Sequence, residues 1–246
     1  STRLVGGGGT SWRVRDVVLK PGIEPAFQEW LGTEVSQVDQ HGFRLPVVLR
    51  AVDGQWVAEG WGAYSAVPGS AAQPPIGDWR EVIAAARALH AATTGLGRPA
   101  FLASRSDPWA VADRAAWGEG ACDVRPELRE HVRRLNTALA PLGPSQLVHG
   151  DLTGNVLITA SGPPSIIDFS PYWRPPSYAE GIVVADALCW HGATPDIITD
   201  LGVPTAAVAR GLLFRMLTTV NDERHTEDRL RDEVRRYSSA LDALNL

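Results

Sequence analysis

The chain has 246 residues, of which 44% are hydrophobic, with a net charge of −5 and a pI near 5.7. This hydrophobic fraction suits a globular core, and the lack of a basic excess argues against a general nucleic-acid or anionic-membrane binder. With no apolar export signal and no run of about 18 apolar residues, we expect a cytoplasmic protein with a small-molecule partner. Cys122 and Cys189 lie far apart without a Cys/His pattern, so neither a disulfide framework nor a zinc site is predicted.

The first 70 residues are predicted to be rich in β-structure. Short extended segments at 13–20, 45–52 and 55–67 are separated by turn signals, and one helix is expected at 24–38. The small, polar and proline-containing segment 69–77 predicts a linker or hinge.

The remainder of the chain is predicted to be mostly helical. Asp78 and Glu81 form a helix start ahead of an apolar run, and Asp107-Pro108 starts another helix. Further helices are expected at 126–139, 179–191, 205–220 and 227–244, and short strands at 146–149, 155–159 and 165–169. The sequence therefore predicts an α+β fold, with a small β-rich N-lobe at 1–69, a hinge, and a mostly helical C-lobe at 70–246.

Polar residues follow the short strands of the second half. His149-Gly-Asp-Leu-Thr-Gly-Asn155 follows one strand, and Ile166-Ile-Asp-Phe-Ser170 ends another. An aspartate on such a loop can accept a hydroxyl proton, while a second aspartate and an asparagine offer the oxygen ligands that Mg²⁺ prefers. Phosphoryl transfer needs little more than positioning and charge neutralisation, so this set favours that reaction.

HGDLTGNVLI followed by IIDF resembles the catalytic and metal-binding loops of the aminoglycoside phosphotransferase family. That family is similar in fold to choline kinases and, more distantly, to protein kinases, so the resemblance implies a two-lobed protein kinase-like fold. It also implies that Asp151 is the catalytic aspartate, that Asn155 and Asp168 are Mg²⁺ ligands, and that His149 is a structural member of its loop.

The N-terminal part carries features of the same family. Lys20 is the only lysine of the chain, and Val-Val-Leu-Lys20 resembles the V-A-I-K strand whose lysine contacts the nucleotide phosphates. A compact ammonium differs from a planar guanidinium, which explains one lysine among many arginines. The preceding glycine run matches the position of a phosphate-covering loop formed by Gly6, Gly7, Gly8 and Gly9.

The resemblance also implies a carboxylate on the first helix that pairs with Lys20. Glu29 and Glu34 both lie on this helix and point about 140° apart, so only one can face the lysine. We prefer Glu29. The adenine-binding segment is placed at Ser65, Ala66 and Val67, through backbone hydrogen bonds.

The motif departs from the family pattern in two ways. Three residues rather than four separate Asp151 from Asn155, so the loop must turn more tightly, and Gly154 can permit that. Ser170 stands where a glycine is usual, and the short acidic turn expected nearby is replaced by a proline-rich segment. Glu180 and Asp186 are both candidates for the missing acid.

These features predict a small-molecule kinase that transfers the γ-phosphate of ATP or GTP to a hydroxyl of a small acceptor, antibiotics included. A catalytically impaired pseudokinase, which binds a nucleotide or a partner without chemistry, is the alternative. The sequence leaves open the acceptor, the choice between ATP and GTP, and the oligomeric state.

Overall fold

The computed structural model describes residues 1–4, 10–71, 79–219 and 227–246. The strands within these ranges are β1 (Thr2–Arg3), β2 (Trp12–Val14), β3 (Val17–Pro21), β4 (Val48–Leu49), β5 (Val57–Ala58), β6 (Trp61–Ser65), β7 (Ser70–Ala71), β8 (Gln146–His149), β9 (Val156–Ile158), β10 (Ser165–Ile166) and β11 (Pro171–Arg174). The α-helices are α1 (Pro25–Thr33), α2 (Trp79–Ala92), α3 (Pro108–Ala116), α4 (Arg129–Thr137), α5 (Pro176–Trp190), α6 (Ile197–Leu201), α7 (Thr205–Thr219) and α8 (Glu227–Ala243).

An antiparallel sheet forms the N-terminal part of the structure. Its strand order is β1-β2-β3-β6-β4, and β5 also pairs with β6. Lys20 lies opposite Gly62 and Val18 opposite Tyr64, so alternation along the strands puts all four residues on one face of the sheet. Lys20, the only lysine in the sequence, therefore lies on this face.

Helix α1 joins this sheet to the second half of the chain. Trp30 and Leu31 of α1 and Val35 of the following 3₁₀ turn form a buried cluster with Leu147 of β8. The helix predicted at 24–38 is thus present, although its last turn is 3₁₀. The cluster places α1 beside β8, the strand that leads into the loop that carries Asp151.

Helix α5 lies at the centre of the helical part. Its residues are apolar on nearly every side, as expected of a helix buried all round. It crosses α7 closely, since a Cβ atom on Gly211 would lie 2.7 Å from the carbonyl carbon of Gly181. Within the ranges that the structure describes, no helix is long and apolar enough to cross a membrane.

Two small sheets contain the strands that lie on either side of the loop between His149 and Asn155. Strand β8 pairs with β11, which places His149 opposite Pro171. Strand β9 pairs with β10 on one side and with β7 on the other. Ser70 and Ala71 of the predicted linker therefore form a strand that pairs with the strand that follows Asn155.

The predicted elements differ from the observed ones in a few places. The Asp107 cap is confirmed, because its carboxylate accepts the N–H of Ala110 at 3.0 Å. The segment 171–174, part of the proline-rich stretch and not predicted as a strand, is a strand, because its pairing with β8 supplies the backbone bonds. Helix α5 begins at Pro176, ahead of the predicted start at 179, and α6 was not predicted. Asp78 and most of the predicted linker lie outside the described residues.

Candidate active site

Strand β8 ends in a loop that is fixed by two buried histidines. His149 Nδ1 accepts the N–H of Asp151 at 3.1 Å, and Nε2 donates to the carbonyl of Ile167 at 3.0 Å. The backbone N–H of His149 in turn donates to Nε2 of His90 at 3.1 Å. Burial lowers the pKa of both imidazoles, that of His90 to about 3, so both rings are neutral near pH 7. His149 thus orients the backbone on either side of the site.

Asp151 and Asn155 are hydrogen-bonded across the loop. Asn155 Nδ2 donates to the backbone oxygen of Asp151 at 2.7 Å and to its Oδ2 at 3.2 Å. Gly154 closes the short loop with a φ of +79°, a conformation that glycine adopts without a steric cost. Because the amide nitrogen of Asn155 faces Asp151, its amide oxygen points the other way and is available to a ligand.

Asp168 has a left-handed backbone conformation with a φ of +54°, which is uncommon for a residue with a side chain. The N–H of Ile167 donates to the carbonyl of Asn155 at 2.9 Å, and Phe169 packs on Trp30 and His149 with ring centroids 6.0 and 5.1 Å apart. These contacts hold the strained residue in place and turn its carboxylate towards Lys20.

Lys20 forms an ion pair with Asp168. Its side chain is 17% exposed, that of Asp168 is 41% exposed, and the ammonium lies 5.7 Å from the ring centroid of Tyr64. Burial lowers the pKa of Lys20 to about 8, while the neighbouring carboxylate favours the charged ammonium. The lysine is therefore a cation near pH 7, and its ammonium lies beside the carboxylate of Asp168.

The predicted pairing of Lys20 with Glu29 is wrong. Glu29 and the alternative, Glu34, are both exposed, because the face of α1 that packs on the sheet is set by Gln28 and Leu31. Gln28 accepts the hydroxyl of Tyr64 at 2.5 Å through Oε1. A neutral amide therefore stands where the resemblance implied a carboxylate.

The predicted adenine-binding segment lies on the wall of the same site. The N–H of Ser65 donates to the carbonyl of Val47 at 2.8 Å, and that of Ala66 donates to the carbonyl of Asp16 at 2.7 Å. Among the hydrogen bonds of the described residues, none uses the N–H of Val67. Of the three predicted amides, only that of Val67 is therefore free to bind a ligand.

A cavity of about 900 Å³ brings the two halves of the predicted site together. We call it the central cavity; side chains from both halves of the chain face it, and they include Val18, Lys20, Tyr64, Asp151, Asn155 and Asp168. Glu29 and Glu34 do not line it. The predicted glycine loop, Gly6 to Gly9, lies outside the described residues.

The residues of the central cavity suit a metal ion that arrives with phosphates. Within the described residues, no group of three or more histidine, cysteine or acidic side chains could hold a metal alone. Asp168 and the amide oxygen of Asn155 supply two hard oxygen ligands, and Mg²⁺ commonly completes its shell with water and phosphate oxygens. The donor set therefore fits Mg²⁺ bound together with a nucleotide.

Neither candidate for the missing acid of the motif has a free carboxylate. Glu180 accepts both Nε and Nη2 of Arg87, at 3.1 and 2.6 Å. Asp186 accepts Nε and Nη2 of Arg215 at 2.8 and 2.6 Å. Both carboxylates are buried, and both are committed to an arginine.

Arg215, which contacts Asp151 directly, was not predicted from the sequence. Arg215 Nη2 lies 3.1 Å from Asp151 Oδ1. The available signal was the presence of Arg210 and Arg215 within the apolar run of α7, since a largely buried arginine requires polar partners for its guanidinium. That signal predicts a partner but does not identify which residue it is.

Comparison with known proteins agrees with this geometry. The model of the APH family, described as a phosphotransferase enzyme family, matches residues 24–172, more than half of the chain. The chain belongs to this phosphotransferase family. No curated protein sequence matches the chain significantly.

Solved structures of kinases share the fold of this phosphotransferase family member. Aminoglycoside phosphotransferase APH(4)-Ia has a TM-score of 0.59 at 17% identity, over 96% of this chain and 88% of its own. Choline kinase LicA from Streptococcus pneumoniae has a TM-score of 0.57 at 13% identity, over 99% and 92%. Amicoumacin kinase hAmiN has a TM-score of 0.55 at 13% identity, over 92% and 81%. At these identities the likeness concerns the fold.

Proposed function

We propose that the protein is a small-molecule kinase that transfers the γ-phosphate of ATP or GTP to a hydroxyl of a small acceptor. One observation carries the proposal. Lys20, from the N-terminal sheet, and Asp151, Asn155 and Asp168, from loops more than 100 residues later, face a single cavity. These are a cation for phosphates, a proton acceptor and two metal ligands, and membership of a phosphotransferase family supports this assignment.

The nucleotide would lie along the N-terminal side of the central cavity. The backbone of Ser65 to Val67, with its free N–H at Val67, would bind the base, and Lys20 would contact the phosphates after leaving Asp168. The glycine run at 6–9 would cover the phosphates. In this arrangement the N-terminal sheet and α1, within 1–69, form one lobe and 70–246 form the other, with the nucleotide between them.

Asp168 and Asn155 would hold Mg²⁺. When bound, the ion neutralises the phosphate charge that otherwise repels the attacking oxygen. The protein's own structure positions these two ligands. Asp168 is presented by its left-handed backbone, and Asn155 keeps its oxygen free by donating to Asp151.

Asp151 would orient the acceptor and take its proton. The acceptor oxygen forms a bond to the γ-phosphorus while the bond from that phosphorus to the β–γ bridging oxygen breaks, which releases the nucleoside diphosphate. The hydroxyl proton passes to Asp151, whose carboxylate is 45% exposed and so open to the acceptor.

The acceptors to test first come from the structural neighbours. APH(4)-Ia has been solved with ADP and hygromycin B, and the other neighbours are a choline kinase and an amicoumacin kinase. Aminoglycosides, choline and hydroxylated antibiotics of other classes are therefore the first set to screen.

Thermal unfolding tests nucleotide binding before any acceptor is known. Mg·ATP or Mg·GTP at about 100 times its dissociation constant stabilises the protein by ~2.7 kcal/mol. At roughly 2 to 4 °C per kcal/mol, this corresponds to a rise in Tm of about 5 to 10 °C. Asp168→Ala should remove the Mg²⁺-dependent rise. Asp200→Ala, at an exposed aspartate that does not line the cavity, should retain it.

Transfer itself separates the kinase from the pseudokinase. Gln28 is a neutral amide that hydrogen-bonds Tyr64 on the sheet face that carries Lys20, and this is the observation that favours an impaired enzyme. In a kinase, Asp151→Ala abolishes transfer to an identified acceptor but retains the thermal shift with Mg·nucleotide. Nucleotide binding without transfer to any hydroxylated acceptor screened would favour the pseudokinase. Full transfer by the Asp151→Ala protein would refute the role of Asp151.

A further inference from the structure

Arg215 of α7 binds two carboxylates at once. Its Nε and Nη2 donate to the two oxygens of Asp186 on α5, at 2.8 and 2.6 Å, and Nη2 also donates to Asp151 Oδ1 at 3.1 Å. The side chain of Arg215 is 15% exposed and that of Asp186 6%, whereas that of Asp151 is 45% exposed. The guanidinium thus connects the helical core to the cavity wall.

We infer that Arg215 is a positioning residue for the transfer reaction: anchored on Asp186, it holds the carboxylate of Asp151 in the orientation that meets the acceptor hydroxyl. The inference rests on the proposed kinase function. It assigns to α5 and α7, which contribute no residue to the predicted motif, a direct effect on the reacting group.

Both oxygens of Asp151 are restrained by neighbours. Oδ1 accepts from Arg215, and Oδ2 accepts from Asn155 Nδ2 at 3.2 Å. Two donors on different oxygens fix the rotation of the carboxylate group, which a single hydrogen bond would leave free. The contact with Asn155 also extends the restraint to the amide whose oxygen is proposed as a metal ligand.

The fork of an arginine is required for this arrangement. Two nitrogens in one plane match the two oxygens of Asp186, and Nη2 still has a second hydrogen for Asp151. A lysine at position 215 could keep the charge but not the bidentate anchor. Burial alone lowers the pKa of Arg215, but Asp186 and Asp151 more than reverse this effect and raise it, so the side chain remains a cation.

The crossing of α5 and α7 brings the three groups together. Gly181 and Gly211 allow the backbones to touch, and Arg215 lies about one turn beyond Gly211 along α7. The buried face of α7 therefore carries its arginine to Asp186, and the side chain reaches the loop at Asp151.

A purely structural ion pair is the competing explanation, and the chain offers a matched control for it. Arg174 also joins two carboxylates, Asp113 at 2.7 Å and Glu119 at 2.6 Å, and its side chain is 9% exposed. Neither of its two carboxylates lines the central cavity, whereas Asp151, the partner of Arg215, does. Arg174→Ala should therefore reproduce a loss of stability without a specific loss of turnover.

The test is steady-state kinetics at a temperature where every variant is folded. The substrates are Mg·ATP and either an acceptor identified by screening or, in its absence, water as the slow acceptor. We expect Arg215→Ala to lower kcat about 100-fold while the KM for Mg·ATP stays within about threefold. Guanidinium at low millimolar concentration should restore part of kcat in Arg215→Ala, but it should not change kcat of Arg174→Ala. Arg215→Lys should fall between wild type and Arg215→Ala.

A double mutant tests the anchor. Asp186→Asn alone should lower kcat, and it should lower it no further in a protein that already carries Arg215→Ala. Three results would overturn the inference and leave the kinase assignment intact. They are additive losses of kcat in the double mutant, an unchanged kcat in Arg215→Ala, and an equal loss of kcat in Arg174→Ala when guanidinium rescues neither variant. A wild-type protein that neither binds nor hydrolyses Mg·ATP or Mg·GTP would instead overturn both.

Discussion

The buried histidine beneath the catalytic loop should make the protein sensitive to acid. His90 on α2 is 2% exposed, its Nε2 accepts the backbone N–H of His149, and burial holds its pKa near 3. In the unfolded chain a histidine has its ordinary pKa of about 6.5. Below that pH the unfolded state binds a proton that the native state does not, so the free energy of unfolding falls as the pH falls.

The size of the effect follows from the two pKa values. Each pH unit between them is worth about 1.4 kcal/mol, so His90 should remove between about 2 and 3 kcal/mol between pH 7.5 and pH 4.5. For a chain of this size, that is a fall in Tm of roughly 5 to 10 °C. In the His90→Gln variant, the amide oxygen can still accept the N–H of His149 but has no proton to gain.

The assay is urea unfolding of wild type and His90→Gln at pH 7.5, 5.5 and 4.5. We expect the stability difference between them to shift by between about 2 and 3 kcal/mol in favour of the variant across this range. His41→Gln, at a histidine whose side chain is 90% exposed, is the control and should follow wild type. If wild type and His90→Gln lose stability in parallel, the reasoning from burial is refuted.

Three further predictions follow from the site and the helix crossing. Glu29→Gln should leave the thermal shift with Mg·ATP unchanged, whereas Gln28→Ala should cost about 1 kcal/mol of stability, measured by urea unfolding, because the partly buried hydroxyl of Tyr64 loses its partner. Lys20→Arg should weaken binding of Mg·ATP about as much as Lys20→Met in titration calorimetry, because a planar fork does not fit where a compact ammonium contacts phosphates; wild-type affinity in Lys20→Arg would contradict this. Gly211→Val should lower Tm by roughly 2 to 12 °C, since overpacking costs about 1 to 3 kcal/mol, while Gly95→Ala, with no atom within 4 Å of the added Cβ, should not lower it.

The residues of the proposed catalytic motif could be identified from the sequence because their signals are local. His149, Asp151, Asn155 and Asp168 lie within twenty residues, at the ends of apolar strands, so strand ends and polar loops can be read from the pattern. Lys20 stood out by composition. In the structure Lys20, Asp151, Asn155 and Asp168 line one cavity, and His149 lies buried beside it.

The identity of the helix residue that faces Lys20 could not be predicted in this way. Neighbouring residues on a helix differ by about 100° in direction, so a small rotation of α1 decides whether position 28 or 29 meets the sheet. That rotation is set by the burial of Trp30 and Leu31 against Leu147, more than 100 residues later in the chain. The resemblance favoured a carboxylate, and tertiary packing selected Gln28.

Arg215 was also beyond local analysis, because its partners lie 29 and 64 residues away. The same applies to β11, which exists only because it pairs with β8. In both cases the contact forms between segments that the fold brings together, and no pattern within either segment indicates which residues it will contact.

The pairing of β7 with β9 has a mechanical consequence. Ser70 pairs with Ile158 and Ala71 with Leu157, so the chain is attached to the second half of the molecule immediately after Gly69. A tilt of the N-terminal sheet that preserves this ladder must occur at or before Gly69, and the ring of Pro68 fixes only its φ torsion. The bending therefore falls on the backbone at 66–69, which includes part of the proposed base site. A nucleotide bound at that site would restrict the backbone torsions of this bending segment. The angle between the N-terminal sheet and the loop that carries Asp151 should therefore vary less when a nucleotide is bound.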